Sequence, residues 1–289
     1  MKKFGLIGHP IAHSLSPALF KAAYDGKYAY DLIEGEDFET SYRRFIEEYD
    51  AINVTAPFKE AAFAKADILS EECASTGATN LLVKTPEGIK AYNSDFLGVR
   101  MWLSEVTEDL KGVLPPWPQG VVSDQQTALW AFAASRCQKR EGSLSDHQSP
   151  LKGVKILIVG LGGAGKAAAA AAESLGMDVI RMNRTVRDSQ THPLDDFRKC
   201  FRKANIIIYN IPAAIPELKE LTDSDFNEDK PKLILEANYK DPSLRETMES
   251  FGSKAVYTGG ETWLLYQAMT GYKILTGEKP DLTKMSDVL

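Results

Sequence analysis

The stretch GVKILIVGLGGAGKAAAAAAESLGMDVIRMNRT, Gly153 to Thr185, decides the fold. Ile156 to Val159 form a continuous apolar run, which reads as a strand buried on both faces. Gly160–Leu161–Gly162–Gly163–Ala164–Gly165 follows, and then an alanine-rich helix, which is the strand–loop–helix context that a GxGxxG match requires. Gly160 lets the chain turn sharply, Gly162 lets backbone approach a pyrophosphate, and Gly165 lets the helix pack tightly on the strand. The N–H groups of the first helical turn, with the helix dipole behind them, then face the phosphates. The stretch predicts a dinucleotide-binding α/β unit; an ordinary glycine-rich turn is the plainer alternative.

The end of the next strand distinguishes the dinucleotides. An NAD site usually carries Asp or Glu there, about 20 residues past the glycines, for the ribose diol. This chain has Asn183, Arg184 and Thr185 instead, with Arg187 beyond. A guanidinium grips a 2′-phosphate through two parallel hydrogen bonds, so NADP is expected as the cofactor.

Downstream, NIIIYNIP, KLILEANY and KAVYTGG continue the series of strands. Upstream, the first hundred residues also alternate. KFGLIG, YAYDLIE and AINVT read as strands, separated by helices in SPALFKAAYDG and DFETSYRRFIEEY. Ser16 is the expected N-cap of the first of these helices, with Pro17 at its first position. A helix through FKEAAFAKA and two short strands, TNLLVK and GIKAYN around a turn at Pro86–Gly88, complete the run. Strands separated by helices imply right-handed crossovers and a mostly parallel sheet. The predicted fold class is therefore α/β in two domains, with a cleft between them. The N-terminal domain would span 1–105 and a Rossmann-type NADP-binding domain 151–261. The intervening 106–150 reads as an insertion or long connection, rich in Pro, Ser, Gln and Gly around an apolar island. Its Trp117, Trp130 and Phe132 would lie on a surface excursion or cover a neighbouring subunit.

The totals narrow the classes of function. A chain of 289 residues with 44% hydrophobic residues, 26% charged residues and net charge −6 is a soluble globular protein of about two domains. It has no block of Lys or Arg, which argues against sequence-independent nucleic-acid binding. The apolar run in MKKFGLIGHP is too short for a signal peptide, and no stretch reaches membrane-span length. Three widely spaced cysteines, Cys73, Cys137 and Cys200, make neither a disulfide framework nor a metal-type pair, so the cytoplasm is the expected compartment. His9 and His13 flank Pro10 and share no helical face, so no metal site is expected.

With a cofactor unit in the second half, the first half should hold a small-molecule substrate. INVTAPFKE, Ile52 to Glu60, delivers an amide, a hydroxyl and an ammonium (Asn53, Thr55, Lys59) to one strand end. Ser14 and Ser16 follow the first strand, Asn80 stands before or within the fourth, and Asn93 to Asp95 follow the fifth. Ligands in open α/β sheets sit at the carboxyl ends of strands, so these groups converge in principle.

These residues resemble the shikimate dehydrogenase family, which includes shikimate and quinate dehydrogenases. GHPIAHSLSP resembles its substrate-carboxylate loop, NVTAPFKE its lysine segment, and GATN and YNSD its next two motifs. GLGGAGK and NRT resemble its NADP motifs, and GGETWLLYQA its C-terminal glutamine helix. The resemblance runs in order over most of the chain, apart from 106–150. It implies that Ser14 and Ser16 bind a substrate carboxylate, with Tyr239 packed nearby, and that Thr55, Asn80 and Gln267 bind ring hydroxyls. It implies Lys59 and Asp95 as the catalytic pair. Gly160, Gly162, Gly163 and Ala164 would hold the pyrophosphate, Asn183, Arg184 and Thr185 the adenosine phosphate, and Gly260 would approach the nicotinamide. Glu71 falls at a position that the family also places near the cofactor. The last helices, 262–289, would return to complete the first domain.

The implied reaction is the reversible, NADP-dependent reduction of 3-dehydroshikimate to shikimate in chorismate and aromatic amino-acid biosynthesis, by a monomer or homodimer. The alternatives are a quinate/shikimate dehydrogenase using NAD and a catalytically silent regulator that binds NADP or a related ligand. The chain departs from the family's pattern in three places. The stretch between Asp95 and Gly160 is far longer than usual, Leu81 follows Asn80 where threonine is usual, and Glu236 and Asn238 precede Tyr239 in an altered segment.

Overall fold

In the computed structural model, which describes residues 2–110, 151–226 and 230–289, Ile156 to Val159 lie in the middle of a parallel sheet with no solvent exposure. The sheet is built from β7 (Lys155–Val159), β8 (Asp178–Met182), β9 (Thr191–His192), β10 (Ile206–Tyr209), β11 (Lys232–Glu236) and β12 (Ala255–Thr258). Their spatial order is β12-β11-β10-β7-β8-β9, and every pairing is parallel. Counted from β7, this is the doubly-wound order 3-2-1-4-5-6, which turns back on itself between β7 and β10.

Helix α6 (Gly163–Ser174) covers one face of this sheet. Its buried Ala167, Ala168, Ala171 and Ala172 are small enough to bring the helix axis close to the strands. A Cβ on Gly165 would stand 1.9 Å from the carbonyl oxygen of Gly160, so only glycine fits there. Helices α7 (Phe197–Lys203) and α8 (Arg245–Glu249) lie on the other face, where Phe197, Phe201 and Met248 share a core with Leu157, Val159, Ile207 and Tyr209. Each such fully buried large side chain contributes about 1.5–3 kcal/mol relative to exposure.

The first half forms a second six-stranded sheet. Its strands are β1 (Lys3–Gly8), β2 (Ala29–Glu34), β3 (Ala51–Val54), β4 (Ile68–Leu69), β5 (Leu81–Thr85) and β6 (Gly88–Tyr92), in the order β2-β1-β3-β5-β6-β4. β1 pairs in parallel with β2 and β3, and β4 with β6, whereas β5 runs antiparallel to both its neighbours. The expected mostly parallel sheet is therefore mixed, with one strand reversed. The cause is local: β5 and β6 are joined by a tight turn at Pro86 and Glu87, and Gly88 adopts φ +129°. The reversal has a consequence for the site. Asn80, which precedes its strand, ends up beside residues that follow theirs.

Helices α1 (Ser16–Ala23), α2 (Phe38–Glu48), α3 (Lys59–Ala64) and α4 (Glu71–Thr76) connect these strands. α4 and the two-residue β4 are too short to show a period in the sequence. α1 departs from expectation at its start. Ser16 lies inside the helix and does not cap it; the side chain of Ser14 accepts from the Ser16 N–H at 3.2 Å instead.

Two long helices join the halves. α5 (Ser94–Leu110) carries Phe96, Val99, Trp102 and Leu103 into the core of the second sheet, with Val106 packed against it. The expected connection over 106–150 therefore begins as helix through Leu110, because Val106 still has a core to cover; the rest of it, with Trp117, Trp130 and Phe132, falls outside the described residues. α9 (Gly260–Thr276) places Trp263 and Tyr266 in that same core and Leu265, Ala268, Tyr272 and Leu275 in the first, with Phe4, Leu19 and Phe20. The chain ends in α10 (Leu282–Ser286), whose Lys284 pairs with Asp25 at 2.7 Å. Among the described residues no helix is long and apolar enough to cross a membrane.

Candidate active site

Lys59 is the first residue of α3, and its side chain reaches across to Asp95 in the first turn of α5. The Lys59 ammonium donates to Asp95 Oδ2. The side chains are only 18% and 9% exposed, so this is not a solvated surface pair of negligible strength. A carboxylate at a helix N-terminus is also favoured by the helix dipole. Two neighbours hold Asp95 in place. Asn93 caps α5 through a 3.1 Å bond from the Phe96 N–H, and the indole N–H of Trp263 donates to the Asp95 carbonyl at 3.2 Å.

The pair lines a cavity of about 220 Å3, at the carboxyl ends of the parallel strands of the first sheet. Ser14, Ser16, Thr55, Asn80, Tyr239 and Gln267 line the same cavity, so the eight side chains expected at the substrate come together. Its size suits a small ring rather than an extended ligand. Thr55 is held by its neighbour on β1: a Cβ on Gly8 would come within 2.4 Å of the Thr55 methyl. Asn80 is not a free amide. Its Nδ2 donates to Ser94 Oγ at 2.9 Å and to Gln267 Oε1 at 3.2 Å, and its Oδ1 accepts from the Ser94 N–H at 2.7 Å. A ligand hydroxyl therefore meets an Asn80–Gln267 pair rather than two independent groups.

Of the polar lining residues, Asn53 was expected at the strand end without a specific role, and His13 and Tyr272 were not placed at the substrate. Asn53, which lines the cavity, accepts from the Tyr30 hydroxyl through its Oδ1 at 2.8 Å. The Tyr272 hydroxyl donates to the Ser16 carbonyl at 3.1 Å, and burial pushes this phenol far above its usual range. The signal for Tyr272 was present in the sequence, since Leu264, Gln267, Ala268 and Tyr272 recur at helical spacing along α9.

The altered segment around Tyr239 also has a physical account. Glu236, at the end of β11, has no solvent exposure. Its carboxylate accepts from the Ser243 N–H at 2.6 Å, the Ser243 hydroxyl at 2.9 Å, the Leu244 N–H at 3.1 Å and the Tyr257 hydroxyl at 2.7 Å. A buried anion with four donors is satisfied, and here it closes the loop that carries Tyr239. Asn238 tightens the same loop, donating to the Asp241 carbonyl at 2.6 Å. Burial, and then the nearby Glu261 carboxylate, raise the Tyr239 phenol above its ordinary value.

The glycine loop packs against Lys59, on the wall of this cavity. A Cβ on Gly163 would stand 3.3 Å from Lys59 Cδ, and Lys166 on α6 pairs with Glu60 at 3.0 Å. The loop fits a dinucleotide diphosphate. Gly160 holds φ +89°, and nothing among the described residues lies within 4 Å of a Cβ placed on Gly162. The α6 N-terminus has no side-chain cap among the described residues. Ala164 lies in the first turn of α6, half-buried beside Gly163. Arg184 and Thr185 are exposed at the end of β8, with no carboxylate between them and Met182. Asn183 is turned inward: its Oδ1 accepts from the Leu161 N–H at 3.4 Å, and its Nδ2 donates to the Thr185 carbonyl at 3.2 Å. It ties the loop to β8, so only its backbone and Arg184 and Thr185 face outward. Gly260 is explained by packing, because a Cβ there would meet the Ala237 carbonyl oxygen at 2.3 Å. Among the described residues no cluster of three or more His, Cys, Asp or Glu side chains could hold a metal ion.

Residues 6–82 match the family model described as the shikimate dehydrogenase substrate binding domain. Over these residues the chain resembles the shikimate dehydrogenase family. Residues 127–235 match a second model, the NAD binding domain of D-isomer specific 2-hydroxyacid dehydrogenases. The shikimate dehydrogenase (NADP(+)) of Thermotoga maritima is 26% identical over 285 residues, covering 94% of this chain and 92% of its own. The enzyme of the same name from Halobacterium salinarum is 26% identical over 294 residues, covering 96% and 94%. Among solved structures, shikimate 5-dehydrogenase from Thermus thermophilus, in complex with NADP(H) and shikimate, superposes with TM-score 0.71 at 23% identity, covering 100% of this chain and 98% of that one. Quinate dehydrogenase from Corynebacterium glutamicum, in complex with NAD, gives TM-score 0.72 at 18% identity, covering 99% and 98%. At these identities the two structures establish a shared fold. The chain thus shares the two-domain architecture of these structures, with its polar cavity beside the carboxyl ends of the first sheet's strands.

Proposed function

We propose that the protein is an NADP-dependent shikimate dehydrogenase, reducing 3-dehydroshikimate reversibly to shikimate. One observation carries the reading: the Lys59–Asp95 pair lines a small cavity of hydroxyls and amides, and the Lys59 side chain also packs against the glycine loop at Gly163. The exposed Arg184, in place of a carboxylate after β8, supports NADP over NAD.

Bound NADPH supplies the hydride. The chain must bind the ring, orient its ketone and protonate the oxygen as negative charge develops on it. Lys59 is the proton donor: its Nζ–H bond breaks as an O–H bond forms, leaving a neutral amine. Asp95 orients that ammonium before transfer and accepts a hydrogen bond from the neighbouring ring hydroxyl. Ser14, Ser16 and Tyr239 hold the carboxylate, and Thr55 and the Asn80–Gln267 pair fix the ring. In the oxidative direction the same amine, uncharged, removes the hydroxyl proton. A small acid is the partner, not nucleic acid or membrane, and the enzyme acts in the cytoplasm as a monomer or homodimer.

The deciding experiment follows nicotinamide absorbance with purified protein, shikimate or quinate, and NADP or NAD. Shikimate oxidation with NADP as the preferred pair is the expected result. Preference for quinate with NAD would make it a quinate dehydrogenase, and no turnover with any pair, despite ligand binding, a silent regulator.

A further inference from the structure

Along β10, Ile206 and Ile208 face the alanines of α6, whereas Ile207 and Tyr209 face the opposite core. Asn210 is the next residue on the first of these rows. Its backbone N–H still donates to the Val159 carbonyl, at 2.8 Å, so the ladder continues and the side chain is set on the α6 face beside Gly160. An apolar row therefore ends in a carboxamide beneath the N-terminus of α6. Asn210 Nδ2 lies 3.4 Å from a Cβ placed on Gly165. Both Oδ1 and Nδ2 are shielded from solvent, and neither has a hydrogen-bond partner among the described residues.

A shielded amide with both ends unpaired bears the full desolvation penalty of each. A third isoleucine would avoid that penalty and extend the row. The amide thus needs a partner that the described residues do not supply. We infer that the Asn210 carboxamide is a ligand of the dinucleotide on the nicotinamide side of the glycine loop, reached directly or through one bound water. The inference rests on the proposed function only in requiring that this loop holds a dinucleotide.

Position and chemistry both favour this partner. The sheet order reverses between β7 and β10, and ligands of doubly-wound sheets occupy that crevice. Asn183 to Thr185, which face the adenosine half, follow β8 on one side of β7; Asn210 follows β10 on the other. An amide offers one acceptor and two donors, matching ribose hydroxyls or a water on the diphosphate. An aspartate in the same place would set a like charge against the diphosphate. The neighbouring shield is the backbone of Gly160 and Gly165, next to open space at Gly162.

The test uses the full chain with Asn210→Leu, which restores the apolar row, and Asn210→Asp, which keeps the shape. Calorimetry measures NADP and 2′,5′-ADP, a fragment limited to the adenosine half, alongside each melting temperature. The expected result is a loss of about tenfold or more in NADP affinity for both variants. Asn210→Leu should keep the affinity of the wild type for 2′,5′-ADP and melt no lower than it. Wild-type affinity for NADP in Asn210→Leu would overturn the inference, and so would equal losses for NADP and the fragment. If the wild type favours NAD, the same comparison is made with NAD and 5′-ADP. A wild type that binds neither dinucleotide overturns the functional reading, and this inference with it.

Discussion

Gly98 on α5 lies in backbone contact with Gln267 on α9: a Cβ on Gly98 would stand 2.7 Å from the Gln267 nitrogen and 2.9 Å from its Cα. One turn earlier on α5, Ser94 approaches Gly271 in the same way, with its Oγ 3.0 Å from a Cβ built there. At Gly98 the two helix backbones meet directly, and at Gly271 only the small Ser94 side chain stands between them. That close approach is what lets Gln267, far away in sequence, reach Asn80.

Gly98→Ala therefore sets two effects against each other. Replacing a helical glycine by alanine gains about 1 kcal/mol of helix propensity. Overpacking costs about 1–3 kcal/mol, and here the obstacle is backbone that cannot rotate away. Overpacking should win, lowering the melting temperature and raising the KM for substrate as Gln267 moves off Asn80. Calorimetry and steady-state kinetics on the variant check both; an unchanged melting temperature would show that the helices separate freely.

Lys59→Ala removes the proton donor but none of the groups assigned to the carboxylate. Turnover should fall by roughly 10²–10⁴ while substrate affinity changes much less. The comparison needs kcat from steady-state rates and Kd from direct binding. Turnover within a few-fold of the wild type would assign the proton to another group.

Arg184→Ala should raise the KM for NADP by about 10–100-fold, the worth of a charge-assisted hydrogen bond to phosphate, and change the KM for NAD far less. Its exposure and lack of core contacts make a folding effect small. Equal effects on the two cofactors would remove the 2′-phosphate role.

The second sheet was legible because each step is local. A four-residue apolar run, a glycine loop and an alanine helix determine one βα unit, and the strands after it repeat the pattern. The first sheet was less so. The reversal of β5 depends on a two-residue turn, and β4 has too few residues to carry a period. Lys59 and Asp95 were legible as strand-end polar groups, helped by the family's motifs. What was not legible is which polar ends are already occupied. That Asn80 is committed to Ser94 and Gln267, that Asn183 faces the loop, and that Asn210 has no partner among the described residues all depend on contacts between distant segments. Ser16 showed the limit of a local rule. It had the residue type and the following proline of an N-cap, yet Ser14 supplies the oxygen.

Lys232 gives a prediction about stability with pH. It has no solvent exposure, and its ammonium donates to the Ala204 carbonyl at 2.6 Å and the Arg202 carbonyl at 3.2 Å, just past or within the last turn of α7. Burial pushes its pKa down from 10.5 to about 8, with Asp225 only partly offsetting the effect. Below about pH 8 the lysine is charged in both folded and unfolded chains, and the full cost of burying the charge is present. Between pH 8 and 10.5 the folded protein releases the proton while the unfolded chain keeps it, so this group's contribution to stability rises with pH. The rise approaches about 3 kcal/mol. Other groups titrate over the same range, so the quantity to measure is the difference in unfolding free energy between wild type and Lys232→Met. By denaturant unfolding at pH 7 and pH 10, that difference should shift by about 2–3 kcal/mol in favour of the wild type at the higher pH. A difference that stays constant across this range would mean that Lys232 keeps its proton in the fold, held by the two carbonyls and Asp225 against the cost of burial.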